Sequence, residues 1–347
     1  MKKVVVGMSG GVDSSVTAIL LQQQGYDVIG VTFIFTEEFD TTDAIKVCKK
    51  LGIEHHIIDY REEFEKTIIN KFISDYNNGI TPNPCVLCNR YVKFNFLYKA
   101  MCDLNCDYMA TGHYAKVIDN KLYKSSDLNK DQTYFLCEIT KEQLSKVLFP
   151  LDSIEKSKVR EIASEYQLIN ANKKDSTDVC FITSKFKEYM NNKINNKCGP
   201  IIDILTNETI GTHNGLNCYT IGQRKGLNIG GTAERMFVVG KNVDKNILYV
   251  CLGDNNDYLI SDACVVDNVN WLSDKKFDRC TAKFRYRQKD SEVDLEWLSE
   301  NEILVKYPQG IKSVTPGQAC VFYNDEECLG GGIIKEVRKH NKKLWYL

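Results

Sequence analysis

The stretch Lys2-Lys3-Val4-Val5-Val6-Gly7-Met8-Ser9-Gly10-Gly11-Val12-Asp13-Ser14 decides how this chain folds. Its β-branched run, glycine turn and following apolar period (Val16, Ile19, Leu20) read as strand, tight loop and helix. The loop therefore sits at a helix N-terminus, where unpaired backbone N–H groups and the helix dipole favour an anion. Gly10 and Gly11 let the backbone approach a phosphate, and Ser9 and Ser14 add hydroxyl donors. A Walker loop would end in Gly-Lys-Ser/Thr, and the dinucleotide fingerprint would show G-x-G-x-x-G; neither pattern is present.

Outward from that loop, strands and helices alternate. Val4–Val6 is followed by a helix from Ser14 to Gln24, a strand Val28–Phe35, a helix Asp43–Leu51 and a strand Ile53–Asp59. This order predicts an α/β, Rossmann-like N-terminal domain with a parallel sheet. After Cys198-Gly199-Pro200 the pattern changes to short strands separated by turn signals such as Val243-Asp244-Lys245-Asn246. The expected division is residues 1–200 for the N-terminal domain, 201–262 for a small β-rich central domain, and 263–347 for a C-terminal β-barrel.

Composition adds a frame. The 347 residues suit two or three domains, and no apolar run is long enough to span a bilayer. Fourteen cysteines look like a disulfide framework until their spacing is read. Cys48, Cys137, Cys218, Cys251, Cys264 and Cys320 each stand alone in apolar runs, as small buried hydrophobes do. A reducing, cytoplasmic setting is expected. The formal net charge of −1 predicts no global attraction to nucleic acid, so any RNA surface must be a local basic stripe.

A second constellation is Thr81-Pro82-Asn83-Pro84-Cys85-Val86-Leu87-Cys88-Asn89-Arg90. Two prolines stiffen the loop, and Cys88 is expected near the start of a helix carrying Val92, Phe94, Phe96 and Leu97. That helix end, with Arg90 and Lys93 nearby, should favour thiolate. Cys180 lies in another polar, cation-rich loop, Lys173-Lys174-Asp175-Ser176-Thr177-Asp178-Val179-Cys180-Phe181. No second Cys pair at zinc-finger spacing appears, which argues against a structural zinc. Lys283, Arg285 and Arg287 alternate with Phe284 and Tyr286, so a strand here would put cations on one face and aromatics on the other.

The Ser-Gly-Gly-x-Asp-Ser loop resembles the pyrophosphate loop of enzymes that split ATP between its α and β phosphates. Over essentially its full length the chain resembles the bacterial tRNA-uridine 2-sulfurtransferases, the 2-thiouridylases. The matching motifs are Gly7 to Ser14, Thr81-Pro82-Asn83-Pro84, Leu87-Cys88-Asn89, Ala110-Thr111-Gly112-His113-Tyr114, Lys130-Asp131-Gln132, Lys174-Asp175-Ser176-Thr177 and Cys180-Phe181-Ile182. Gly222-Gln223-Arg224-Lys225-Gly226, Arg285-Tyr286-Arg287-Gln288 and Thr315-Pro316-Gly317-Gln318 complete the set.

The resemblance implies ATP-dependent 2-thiolation of the wobble uridine of tRNA, with Mg²⁺ as companion of the nucleotide. It implies that Gly7, Met8, Ser9, Gly10, Gly11, Val12, Asp13 and Ser14 bind the ATP phosphates, and that Phe33 and Gly112 hold the adenosine. Cys88 and Cys180 match the catalytic pair, Cys180 carrying a persulfide and Cys88 resolving it through a transient Cys88–Cys180 disulfide. Asn83, Pro84 and Cys85 match the target-base positions. His113, Lys130, Asp131, Gln132, Arg285, Tyr286 and Gln318 match tRNA-contacting positions, the last three in the C-terminal barrel. The implied partners are the wobble-uridine tRNAs for Lys, Glu and Gln and a persulfide donor such as a cysteine desulfurase or its relay protein.

One departure bears on mechanism. Many relatives carry Asp where this chain has Cys85, and a thiol is a poor general base unless its pKa is lowered. Cys85, Cys88 and Cys180 together would supply three ligands for a four-iron–four-sulfur cluster (4Fe–4S), a different route from the persulfide. Asp13 reads either as a Mg²⁺ partner or as an acceptor that orders the loop. The pyrophosphate loop would also suit an adenylating tRNA modifier of the 2-thiocytidine or lysidine type, or a non-catalytic ATP-binding sensor on the same fold.

Overall fold

In the computed structural model the opening run forms β1 (Lys3–Gly7), whose three central valines are fully buried. The structure describes residues 1–174, 179–182, 186–194, 196–227, 229–230 and 235–347. β1 leads through the glycine turn into the helix Val12–Gln23, followed by β2 (Asp27–Ile34), the helix Thr42–Leu51 and β3 (Glu54–Asp59). With β4 (Tyr108–Ala110) and the two-residue β7 (Val147–Leu148), these strands make a parallel sheet in the order β3-β2-β1-β4-β7. The chain leaves β1 toward β2 on one side and later places β4 on the other. The sheet therefore has its topological switch point at the C-terminal end of β1, where open α/β sheets bind ligands. The expected α/β class holds.

The helices cover both faces because their apolar stripes are matched to it. Val16, Ile19 and Leu21 of the first helix pack with Val4, Val6, Val28 and Ala44. The helix Phe94–Asp103 buries Phe94, Leu97 and Met101 against Val5 and Met109 on the other side.

Beyond the parallel sheet lie two β modules. A central sheet joins β10 (Met236–Asn242), β11 (Ile247–Leu252), β8 (Gly199–Asp203) and β9 (Thr209–His213) in that order. The C-terminal part holds β12 (Ile260–Trp271), β13 (Arg279–Lys283), β14 (Ser291–Trp297), β15 (Ile303–Lys312), β16 (Ala319–Asn324) and β17 (Glu327–Lys339). Pairing runs from β12 through β15, β14, β13, β16 and β17 back to β12, so the six strands close into a barrel. Closure removes the exposed sheet edges a short open sheet would leave.

Two joints between these parts have no local signal in the sequence. A hairpin of β5 (Lys116–Ile118) and β6 (Lys121–Tyr123) leaves the N-terminal domain and pairs with β17, Leu122 opposite Cys328. Its core is continuous with the barrel: Leu122 and Tyr134 share a cluster with Ala319, Val321 and Tyr323. The chain end returns to the central sheet, where Tyr346 is buried and its carbonyl accepts from the Lys241 N–H at 2.8 Å.

The second joint is a polar knot around residues 137–139. Asn270 donates to the Cys137 and Ile139 carbonyls (3.0 and 2.8 Å), and Arg90 donates to the Glu138 carbonyl at 2.6 Å. The Glu138 side chain is buried here, with Oε1 unpartnered. Burial pushes its carboxyl up to about 7, with Arg90 only partly opposing. A carboxyl raised in the folded state destabilises as pH climbs from the unfolded value near 4.5 toward the folded one, and the cost is complete above about 7. Glu138→Gln is therefore expected to stabilise the protein by about 3 kcal/mol or less at pH 8, the gain shrinking toward pH 5. Denaturant titrations of both proteins at the two pH values check this; an equal gain at both would show that ionisation is not the cause.

The six cysteines expected in the core (Cys48, Cys137, Cys218, Cys251, Cys264 and Cys320) are all buried, and none of them is in a disulfide. Among the described residues no helix is long and apolar enough to cross a membrane.

Candidate active site

The glycine loop is shaped by its own hydroxyls. Gly10 adopts φ +74°, and Gly11 caps the helix in extended conformation. The Ser14 hydroxyl accepts from the Ser9 N–H (3.2 Å) and donates to the Gly11 carbonyl (3.1 Å), while Ser15 donates to that same carbonyl at 2.9 Å. Ser14 is buried, so its hydroxyl orders the loop from inside. The Asp13 carboxylate is held by two donors. Its two oxygens lie 2.6 and 2.7 Å from the Lys156 ammonium, and the Tyr114 hydroxyl donates to Oδ1 at 3.0 Å.

Gly112, at the end of β4, touches the loop directly. A Cβ there would lie 2.8 Å from Asp13 C and Ser14 N, both backbone atoms, which is why glycine is needed. Phe33, at the end of β2, packs edge-on against Tyr60 and Phe96, themselves stacked with centroids 3.7 Å apart.

The cysteine segment differs from expectation. The helix starts at Pro84, capped by extended Asn83, and runs through Cys88 into a π-turn Asn89–Lys93 before continuing as Phe94–Asp103. Cys88 is thus a full turn inside the helix, out of reach of the dipole's first turn. It is buried, and burial pushes its thiol up to about 12, with Lys93 opposing and Cys180 and Cys85 adding to the rise. The expected ease of thiolate formation is not met in this conformation. Cys85, in the first turn, is likewise pushed up by burial, against the pull of Lys93. Arg90 is turned away, donating to the Glu138 carbonyl and to Asn270. π-turns cluster at functional sites, and this one ends on Lys93. Burial lowers its pKa, and the negative charge that Cys88, Cys180 and Cys85 carry as thiolates raises it, the net direction being up.

Cys180 reaches this group because its neighbour is anchored. Phe181 is buried, edge-on to Phe64 (5.6 Å) and Phe72 (5.3 Å), in the cluster that also contains Cys88 and Val92. Cys180 itself is exposed. Residues 175–177 of the Lys174-Asp175-Ser176-Thr177 motif lie outside the described residues. Among the described residues, which include Cys85, Cys88 and Cys180, no group of three His, Cys, Asp or Glu could hold a metal ion.

The expected tRNA positions divide. Asp131 is buried and accepts from the Ser125 N–H and the Thr133 hydroxyl, so its carboxylate fixes a turn. Gln132 pairs with the Tyr114 backbone through both its side chain and its N–H. Lys130 is partly exposed. His113 points inward, packed on Phe94 and bonded to Thr111 at 2.8 Å; burial, with Lys93 adding, lowers it to about 3.

The alternating cation strand is not formed. β13 ends at Lys283, and residues 284–288 turn, with the Gln288 N–H bonded to the Arg285 carbonyl. Arg285 ties the barrel to the central domain, donating to the Ile221 carbonyl (2.8 Å) and the Thr315 hydroxyl (2.9 Å). The exposed cations of the turn are Arg287 and Lys289. Tyr286 leans on Phe135, with centroids 4.4 Å apart.

The Gln318 amide donates to the Thr81 and Pro82 carbonyls (2.8 and 3.4 Å), holding the proline loop that carries Asn83. Gly317 (φ +89°) permits this approach, since a Cβ there would collide with the Ile80 side chain. Sequence reasoning missed Lys156 and Asn170, more than 140 residues from the loop they hold and without a motif of their own.

Residues 2–184 match the family described as tRNA methyl transferase HUP domain, 187–252 its PRC-barrel domain, and 261–334 the aminomethyltransferase beta-barrel domain. The chain is 47% identical to the tRNA-specific 2-thiouridylase MnmA of Mesoplasma florum, over 97% of this chain and 99% of that one. It is 45% identical to the tRNA-specific 2-thiouridylase MnmA 2 of Geobacillus kaustophilus and to the Oceanobacillus iheyensis MnmA, over 99% of this chain and 98% of each. The chain belongs to the tRNA-specific 2-thiouridylase (MnmA) family.

Proposed function

We propose that this chain is a tRNA-uridine 2-sulfurtransferase that uses ATP to convert the wobble uridine of tRNA to 2-thiouridine. One adjacency carries the reading. Gly112 abuts the glycine loop, and beyond His113 beside it the Lys93 charge is close enough to act on His113 and on Cys85, Cys88 and Cys180. The activating and sulfur-bearing groups thus meet at one end of the sheet.

The chemistry follows from what a uridine lacks. Its C2 oxygen is a poor leaving group, so it attacks the α-phosphate of ATP, and pyrophosphate leaves against the amides of Gly10 to Ser14. The terminal sulfur of a Cys180 persulfide adds to C2, and AMP departs with the oxygen. The Cys88 thiolate then attacks the Cys180 sulfur; the S–S bond to the base breaks, 2-thiouridine is released and a Cys88–Cys180 disulfide forms. A thiol reductant restores both cysteines, and a persulfide donor such as a cysteine desulfurase or its relay recharges Cys180. Lys93 supplies the positive charge a thiolate needs in this buried setting.

Mg²⁺ would enter with the ATP phosphates and neutralise charge there; the Asp13 oxygens are already engaged by Lys156 and Tyr114. The three cysteines do not form a metal-holding group, so no step is routed through a 4Fe–4S cluster. Asn83, Pro84 and Cys85, in the turn that leads into Cys88, are assigned to the target base. The tRNAs for Lys, Glu and Gln are the expected substrates, and the cytoplasm the expected place. Nucleoside mass spectrometry of tRNA from cells lacking this protein tests the reading: 2-thiouridine should disappear, and its persistence without a second such enzyme would overturn it.

A further inference from the structure

An anion-binding loop has to dispose of its own negative atoms. This one carries two that would oppose a triphosphate, the Asp13 carboxylate and the Gly10 carbonyl oxygen. Both are held by groups from a distant part of the chain. The helix Lys156–Glu165 packs Val159 and Ala163 into the same core as Val16 and Ile19 of the loop's helix. From its first turn Lys156 reaches both Asp13 oxygens, and its side chain is only 12% exposed. Arg160, one turn on, donates to the Ala171 and Lys173 carbonyls (3.1 and 3.0 Å), binding residues 170–173 to that helix. From this strap the Asn170 amide, 2% exposed, donates to the Gly10 carbonyl (3.0 Å) and the Ser15 hydroxyl (2.9 Å). Lys173 closes the set, 2.7 Å from Asp43 and 3.5 Å from the Gly10 carbonyl.

The electrostatic sense is plain. An unpaired carboxylate beside a bound triphosphate repels it, the more so where water is partly excluded. Paired with Lys156, that repulsion is cancelled. We propose that Lys156 is a positioning residue for ATP that acts through Asp13, with Asn170 as the second point of the same brace. Lys156 does not touch the phosphates. Its removal frees the Asp13 charge to repel them. The inference rests on the ATP-using reading of the loop.

The test is direct ATP binding by calorimetry, together with ATP-dependent pyrophosphate release in the presence of tRNA. Lys156→Met should weaken ATP binding about 10- to 100-fold, each tenfold being about 1.4 kcal/mol. The maximal rate at saturating ATP should change much less, and Lys156→Arg should retain most of the affinity. Asp13→Asn in the Lys156→Met background should recover much of the loss, because the repelling charge is then gone; this coupling is the signature of action through Asp13. Additive losses in the double variant, or unchanged affinity in Lys156→Met, would overturn the proposal. The neutral double variant also answers a folding failure of Lys156→Met, since it leaves no unpaired charge. ATP binding absent from the unaltered protein would instead overturn the ATP reading itself.

Discussion

Cys180→Ser is expected to abolish sulfur transfer while tRNA-dependent pyrophosphate release continues, because the exposed Cys180 is assigned to the sulfur step and is no part of the ATP loop itself. Serine cannot hold the transferable sulfur, and Cys180 packs into no core that its loss would disturb. Cys88→Ser should also lose 2-thiouridine over multiple turnovers, because tRNA joined to Cys180 through the disulfide is never released. That adduct should be visible by mass spectrometry and cleaved by added thiol. Cys85→Ser separates the two sulfur routes. It should keep much of its activity in air if Cys85 only lines the base pocket. Loss of turnover together with an iron-dependent visible absorbance would favour a cluster instead. Alkylation without substrates should be fast at Cys180 and slow at Cys88, whose thiol burial pushes up to about 12.

Gly112→Ala should be nearly as damaging, by a different route. The new methyl would lie 2.8 Å from Asp13 C and Ser14 N, atoms that cannot step aside without moving the loop. A displacement approaching 1 Å at a reacting phosphate costs about 10²-fold in rate. Pyrophosphate release should fall by at least that factor while the melting temperature stays close to that of the unaltered protein. Normal release by the alanine variant would show that the loop tolerates displacement.

Local chemistry made some of this architecture legible from residue order. The β1 valines, the glycine turn and the apolar period behind it specify strand, loop and helix through contacts within about twenty residues. The change after residue 198 from helical period to short strands likewise announced the β modules. Family motifs marked Cys88 and Cys180, and the isolated cysteines in apolar runs were read correctly as core.

What the residue order could not decide was where charge and burial would settle. Arg285 reads as a surface cation, yet its guanidinium bridges two modules; Asp131 and His113 read as polar contacts, yet Asp131 is buried and the half-buried His113 ring packs on Phe94. The helix start at Pro84 instead of near Cys88 placed that thiol in the interior and reversed its expected acidity. Lys156 and Asn170 became part of the phosphate loop only because a helix more than 140 residues downstream packs against its back. Short-range propensity and pattern determine elements and motifs, whereas desolvation and ion pairing depend on distant segments meeting, and tertiary structure alone decided those.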